Sequence, residues 1–202
     1  MKKLLGGRDM LKNLDKYKVI LASNSPRRKE LLDGLGLAYE VKVMPDIDES
    51  YADGLMAEEI PISIACKKAE AYRSVMQSDE LIITADTIVW LDGVVMGKPK
   101  DSLDACAMLR KLSGKTHQVI TGVCITTIDG QRSFSTVTDV TFGTFTEEEI
   151  QYYVLNYQPM DKAGAYGIQE WIGYIGVRAI SGSYFNVVGL PIQRLYMELK
   201  NI

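Results

Sequence analysis

The sequence predicts a mixed α/β fold, and three observations carry that prediction. Composition is close to the globular average, with 47% hydrophobic and 24% charged residues over a length of 202; it provides for a core and excludes collagenous, disordered and coiled-coil chains. In the first half, short β-rich runs pass at once into capped helical segments. In the second half a long hairpin rich in Thr, Val and Phe follows, so a purely parallel sheet does not fit. The reading is a single domain over residues 1–202: an elongated mixed sheet with helices, long enough to fold into two lobes, preceded by an N-terminal extension at residues 1–15.

The first strand is expected at residues 18–22, a β-rich run that stops at Ser23-Asn24-Ser25-Pro26. Pro26 suits a first helical turn, Ser25 or Asn24 can cap it, and Leu31, Leu32 and Leu35 recur at helical spacing before Gly36. Residues 39–43 read as a second strand and 45–53 as an acidic loop. Residues 60–76 form a helix with Ile60, Ile64, Ala65, Ala69 and Tyr72 on one side. Residues 81–91 and 94–96 are strands joined by Asp92-Gly93, a hairpin signal. A helix over 102–112 is expected to bury Leu103, Ala107, Met108 and Leu109. Residues 118–128 and 133–145 pair as the long hairpin around Asp129-Gly130. Thr146 with Glu149 forms a capping box for a helix that runs to Leu155. Residues 164–182 read as loops and short strands, and 191–199 as a last amphipathic helix with Leu195, Tyr196 and Leu199 apolar.

Several function classes fall away on counting alone. Three cysteines without CxxC spacing point to reduced thiols rather than a disulfide framework or a zinc site. With one histidine, His117, any Ser-His-Asp or Cys-His mechanism depends on that residue, and no nucleophile motif marks a partner for it. A net charge of -3 gives no field for a nucleic acid polymer. No apolar run approaches the roughly 20 residues of a membrane span, and charges interrupt any export signal near the start. The expectation is a cytoplasmic protein with no membrane partner.

Residues 21–28, Leu-Ala-Ser-Asn-Ser-Pro-Arg-Arg, set two hydroxyls, a helix N-terminus and two guanidinium groups beside a strand end. Backbone N–H groups, Ser23, Ser25 and an Arg fork can hold a polyphosphate there. A capped helix with solvated arginines is the plainer reading. The Walker pattern is absent. Asp86 follows an apolar strand and would emerge where ligands gather in α/β folds. Asp46, Asp48 and Glu49 supply further carboxylates, and such oxygens together with substrate phosphates suit Mg²⁺. Lys98 sits in a stiff Gly97-Lys98-Pro99 turn that could reach a phosphate, while Lys67 and Lys68 are equivalent on pattern alone. Small residues in Asp161-Lys-Ala-Gly-Ala-Tyr-Gly-Ile-Gln169 permit close backbone approach, and Gln169 has the donor and acceptor needed for the imide edge of uracil or thymine.

Those same stretches, with Asp48-Glu49, Lys67-Lys68-Ala69, Ala85-Asp86-Thr87-Ile88-Val89, Gly97-Lys98-Pro99 and residues 112–118, resemble the Maf family of nucleoside triphosphate pyrophosphatases, also called septum-formation inhibitor proteins. The resemblance spans nearly all of residues 21–199. It implies an inosine triphosphatase-like fold with two lobes around a cleft, a divalent cation (Mg²⁺ or Mn²⁺), cleavage between the α and β phosphates, and a homodimer. Matched position by position, it implies Asp86 as general base, Ser23, Arg28, Lys68 and Lys98 at phosphate contacts, and Glu49 with Asp86 at the metal. Arg27, Thr87 and Gln169 resemble the specificity positions of the branch acting on dTTP and UTP. The competing reading is a nucleotide-binding regulator of cell division that turns nothing over. The extension over residues 1–15 and Glu170-Trp171-Ile172-Gly173-Tyr174 are less typical of the family, which leaves contacts from those segments open.

Overall fold

The computed structural model of the protein describes residues 10–202. Its strands are β1 (Lys18–Leu21), β2 (Glu40–Val41), β3 (Glu80–Leu91), β4 (Val94–Met96), β5 (Thr116–Thr127), β6 (Gly130–Phe142) and β7 (Val177–Ser181). Its helices are α1 (Pro26–Asp33), α2 (Glu59–Arg73), α3 (Ser102–Leu112), α4 (Glu147–Tyr157), α5 (Trp171–Gly176), α6 (Tyr184–Val188) and α7 (Ile192–Leu199). The strands pair in the order β2-β1-β3-β5-β6-β7, with β4 added to β3. β1 runs parallel to β2 and β3, whereas β3 with β4 and β6 with β7 are antiparallel, so the sheet is mixed as expected. Two compact units emerge: residues 10–86, 121–136 and 189–202 form one, and residues 87–120 and 137–188 form the other.

In the first unit β1 is an uninterrupted apolar run because both of its faces are covered. Val19 and Leu21 join Leu32 of α1, Leu81 and Ile83 of β3, Val123 and Ile125 of β5, and Leu195 and Leu199 of α7 in one core cluster. Ile20 points the other way, to Ile82 and Tyr72 of α2. A short 3-10 turn at Lys12–Leu14 brings Leu11 and Leu14 into the larger cluster, so the segment expected as an extension contributes to the core from residue 11; residues 1–9 lie outside the described residues. The register Lys18↔Glu80 to Leu21↔Ile83 sets the C-terminal end of β1 beside Ile83, three residues before Asp86 on β3. Along β3 the two-residue period puts Ile82, Thr84 and Asp86 on one face. That face is covered by α2, whose Ala65 carbonyl accepts from the Thr84 hydroxyl at 2.7 Å. Gly122 lets β5 approach the start of α2, since a Cβ there would lie 2.3 Å from the Pro61 carbonyl carbon.

In the second unit the Asp92-Gly93 turn between β3 and β4 has positive φ at both residues, 51° and 83°, the geometry the dipeptide favours. Asp101 caps α3 by accepting from the Asp104 N–H at 2.8 Å. The buried positions of α3 are Ala105, Cys106, Leu109 and Leu112. Leu109 is buried as expected, but Leu103 is 82% exposed and Ala107 and Met108 are half-buried, because the stripe that faces the core follows residues 105, 109 and 112 at helical spacing. The capping box of α4 forms with Thr146 and Glu149 as expected. The region 164–182 read as loops and short strands holds the strand β7 but also the helix α5, and α6 follows it. Asn186 of α6 donates to the Val119 carbonyl and to the Thr138 hydroxyl, both at 3.0 Å. Among the described residues no helix is long and apolar enough to cross a membrane.

Candidate active site

The first unit carries six of the expected site residues, Ser23, Arg27, Arg28, Glu49, Lys68 and Asp86. Ser25 ends the turn after β1 and caps α1, its hydroxyl accepting from the Arg28 N–H at 3.4 Å, while the Ser23 hydroxyl accepts from the Ser25 N–H at 3.2 Å. With Pro26 at the first helical position, the loop turns into a helix start, where N–H groups favour anions. Arg28 folds back beneath this turn. Its Nε donates to the Gly189 carbonyl at 2.8 Å, and its Nη1 to the Ala85 carbonyl at 2.9 Å and to Ser23 Oγ at 3.4 Å. The guanidinium therefore ties α1 to the residue before Asp86. Burial lowers its pKa, and Asp86 and Glu49 oppose that shift; an arginine stays charged throughout.

Lys68 is the hub. Its Nζ lies 2.8 Å from Asp86 Oδ1 and 2.9 Å from Glu49 Oε1, with the Lys68 and Asp86 side chains only 13% and 15% exposed. Adjacent helical residues point about 100° apart, and Lys67 accordingly leaves the site. Its Nζ donates to the Ser50 carbonyl at 2.6 Å and meets Asp48 Oδ2 at 3.3 Å. The hydroxyl and N–H of Ser50, with Lys67, hold the Asp48 carboxyl down at about 2. The structure thus separates the two lysines that sequence left equivalent.

Among the described residues no three His, Cys, Asp or Glu side chains cluster as a ready-made metal cage. Glu49 and Asp86 nevertheless present one carboxylate oxygen each to a single cationic point. Two hard oxygen donors fit a divalent cation that completes its shell with phosphate oxygens and water. Arg27, beside Arg28 on α1, is half-buried.

The second unit carries Thr87, Lys98 and Gln169. Thr87 follows Asp86 on β3 and, by the strand period, projects from the opposite face. Lys98 is exposed in its turn, and the preceding Gly97 carbonyl accepts from the Gly164 N–H at 3.0 Å. That bond joins the Lys98 turn to the segment leading to Gln169. Gly164 has φ of 67°, and a Cβ there would lie 2.9 Å from a Val89 methyl, so glycine is needed at this approach. Tyr166 is buried, with its hydroxyl 2.7 Å from His117 Nε2. Burial drives the His117 pKa down to about 4, which suits the structural role expected of it. Sequence reasoning missed Tyr153, which reaches this segment from α4, 14 residues upstream of Gly167. A buried tyrosine on a helix carries no signal of its target.

A family model described as Maf-like protein matches residues 18–202. Relatives named dTTP/UTP pyrophosphatase align over almost their whole length. The one from Phocaeicola vulgatus is 72% identical over 193 residues, covering 96% of this chain and 100% of the relative. The one from Bacteroides thetaiotaomicron is 65% identical with the same coverage. The one from Porphyromonas gingivalis is 56% identical over 194 residues, 95% of this chain and 98% of the relative.

Proposed function

The chain belongs to the Maf-like protein family, and from that premise we propose that it hydrolyses dTTP and UTP to the nucleoside monophosphate and pyrophosphate. The observation that carries this reading is the near-full-length identity of 56–72% to relatives named for that activity. The geometry supports it with a carboxylate, Asp86, that ends one unit's share of an apolar strand beside a buried ammonium.

Asp86 is the general base that takes a proton from the water attacking the α-phosphorus. Lys68 pairs with that carboxylate and faces the charge that builds on the phosphate oxygens. Ser23 and the α1 N-terminus receive a phosphate through hydrogen bonds, and Arg28 and Lys98 add positive charge along the triphosphate. Glu49 and Asp86 would hold the divalent cation, Mg²⁺ or Mn²⁺, which when bound neutralises phosphate charge and acidifies water. Arg27, Thr87 and Gln169 select the base, with the Gln169 amide pairing with the imide edge. No covalent nucleophile is required.

The same reading extends to one catalytic domain in the cytoplasm, acting as a homodimer. The dimer is supported by β7, last in the strand order, which is flanked by exposed apolar side chains: Ile175, Ile180, Tyr184 and Phe185. Exposed edge strands of this kind invite pairing with a second copy. Incubation with dTTP and Mg²⁺ followed by chromatography tests the function. The expected products are dTMP and pyrophosphate, with turnover reduced by roughly 10²–10⁴ in a folded Asp86→Asn variant. Unchanged dTTP, dTDP with phosphate, or wild-type turnover in that variant would each overturn it.

A further inference from the structure

We propose that Tyr153, Glu170 and Lys162 are positioning residues that fix the pose of Gln169, and with it the distinction between an imide base and cytosine. The inference rests on the nucleotide pyrophosphatase reading above, and none of the three residues needs to touch substrate.

The device lies wholly within the second unit. Tyr153 on α4 is fully buried, and its hydroxyl works at both ends of one turn: it accepts from the Gly167 N–H at 3.0 Å and donates to Glu170 Oε2. The other Glu170 oxygen pairs with Lys162 Nζ at 3.1 Å, and the same ammonium meets Asp161 Oδ1 at 2.7 Å. Lys162 is 10% exposed along its side chain, so the ion pair is largely withdrawn from water. Burial and the neighbouring Glu170 carboxylate push the Tyr153 phenol up, so it remains a hydrogen-bond donor at any working pH.

The packing leaves the turn little freedom. A Cβ on Gly167 would lie 2.9 Å from Glu170 Cδ and 3.0 Å from Lys162 Cε, so the ion pair rests flush on that glycine. A Cβ on Gly173 would lie 2.0 Å from the Ile168 carbonyl oxygen. Residues 164–168 are all buried, and Gln169 is the first residue after them with an accessible side chain. Its backbone is therefore held at Gly167 on one side and at Glu170 on the other.

A glutamine needs such holding for this task. Its amide carries an acceptor and a donor side by side, and a half-turn exchanges them. An imide edge presents a carbonyl beside an N–H; cytosine presents an amino group beside a bare ring nitrogen. The anchored backbone sets where that amide stands against a bound base, so loosening the anchors loosens the discrimination.

The test measures kcat and KM for dTTP and dCTP in the wild type, Tyr153→Phe, Glu170→Ala and Glu170→Gln. Tyr153→Phe keeps the ring and removes the hydroxyl. The expected result is a dTTP over dCTP preference reduced about tenfold, through KM more than kcat. Glu170→Ala should show the same loss, and Glu170→Gln, which retains an acceptor for the phenol, should recover most of it. If Tyr153→Phe does not fold, the Glu170 pair decides alone. Wild-type selectivity in folded Tyr153→Phe or Glu170→Ala, even with reduced thermal stability, overturns the inference alone. Failure of the wild type to hydrolyse dTTP overturns the proposed function and this inference with it.

Discussion

Lowering the pH from 7 to 5 should weaken the fold by about 2 kcal/mol through one side chain. His117 is the sole histidine of the chain and is 2% exposed. Its ring packs against Phe142 and Tyr166 with centroids 4.9 and 5.4 Å away. One nitrogen meets the Tyr166 hydroxyl, and the other, Nδ1, is buried with no hydrogen-bond partner among the described residues. Burial takes its pKa from 6.5 to about 4. Because the folded value lies below the unfolded one, the unfolded chain binds the proton first as pH falls. The stabilisation is thus complete above about 6.5 and is lost as pH drops toward and through about 4. At ~1.36 kcal/mol per pKa unit, the loss is about 2 kcal/mol at pH 5 and about 3 kcal/mol below pH 4. Urea unfolding at pH 7 and pH 5 should show this difference in the wild type and lack it in His117→Gln, with the carboxylates common to both proteins cancelling. The imidazole C2 proton, a single resonance, should not titrate between pH 8 and pH 5. Ordinary titration near 6.5, or equal pH dependence in the two proteins, would refute the reasoning.

Cys66 should be the first thiol alkylated by iodoacetamide at pH 7. It is half-buried on α2 beside Cys124, and hydrogen bonds from Cys124 and the Ser133 hydroxyl hold its thiol down at about 6 while Cys124 is pushed up; the thiolate is the reactive form. Peptide mapping in which Cys106 or Cys124 is labelled first contradicts this. For the dimer, the double substitution Ile180→Lys with Phe185→Ser should convert a sedimenting dimer to monomer at micromolar concentration with secondary structure retained. A wild-type monomer, or a dimer that survives the change, removes β7 as the interface.

Most of the architecture was legible because local signals and global packing agree. Ser25-Pro26 gives the cap it promises, Thr146 and Glu149 close their box, and Asp92-Gly93 makes the tight turn. The stripe of Ile60, Ile64, Ala65, Ala69 and Tyr72 on α2 is buried throughout. What escaped were elements that tertiary contacts alone stabilise. Trp171–Gly176 has two glycines in six residues, a composition that argues against a helix in isolation. Both glycines are there for contact: a Cβ on Gly176 would lie 2.4 Å from the Phe145 ring, and Gly173 abuts the Ile168 carbonyl. No periodicity in the segment itself encodes those neighbours. The strand expected over residues 39–43 shrinks to Glu40–Val41, first in the strand order and paired only with β1.

Lys68 offers a more pointed case, because two periodicities intersect there. Counting from Ile64 and Ala65 toward Tyr72, residue 68 falls on the apolar stripe of α2, where a leucine or methionine would be ordinary. Counting along β3 from Ile82 and Thr84, residue 86 falls on the face that α2 covers. A lysine on the one and an aspartate on the other can satisfy each other only by meeting, and they do, at 2.8 Å. Sequence alone left Lys67 and Lys68 equivalent; the two patterns meet at this contact only once α2 is seen to cover that face of β3. Stability does not require the pair. Desolvating two charges costs several kcal/mol, and a well-packed Lys68→Met, Asp86→Leu exchange is the kind that leaves a fold as stable or more so. Retaining charge at this depth, with Glu49 brought to the same ammonium, is what a site for water and a polyphosphate demands and what a sheet-helix interface does not.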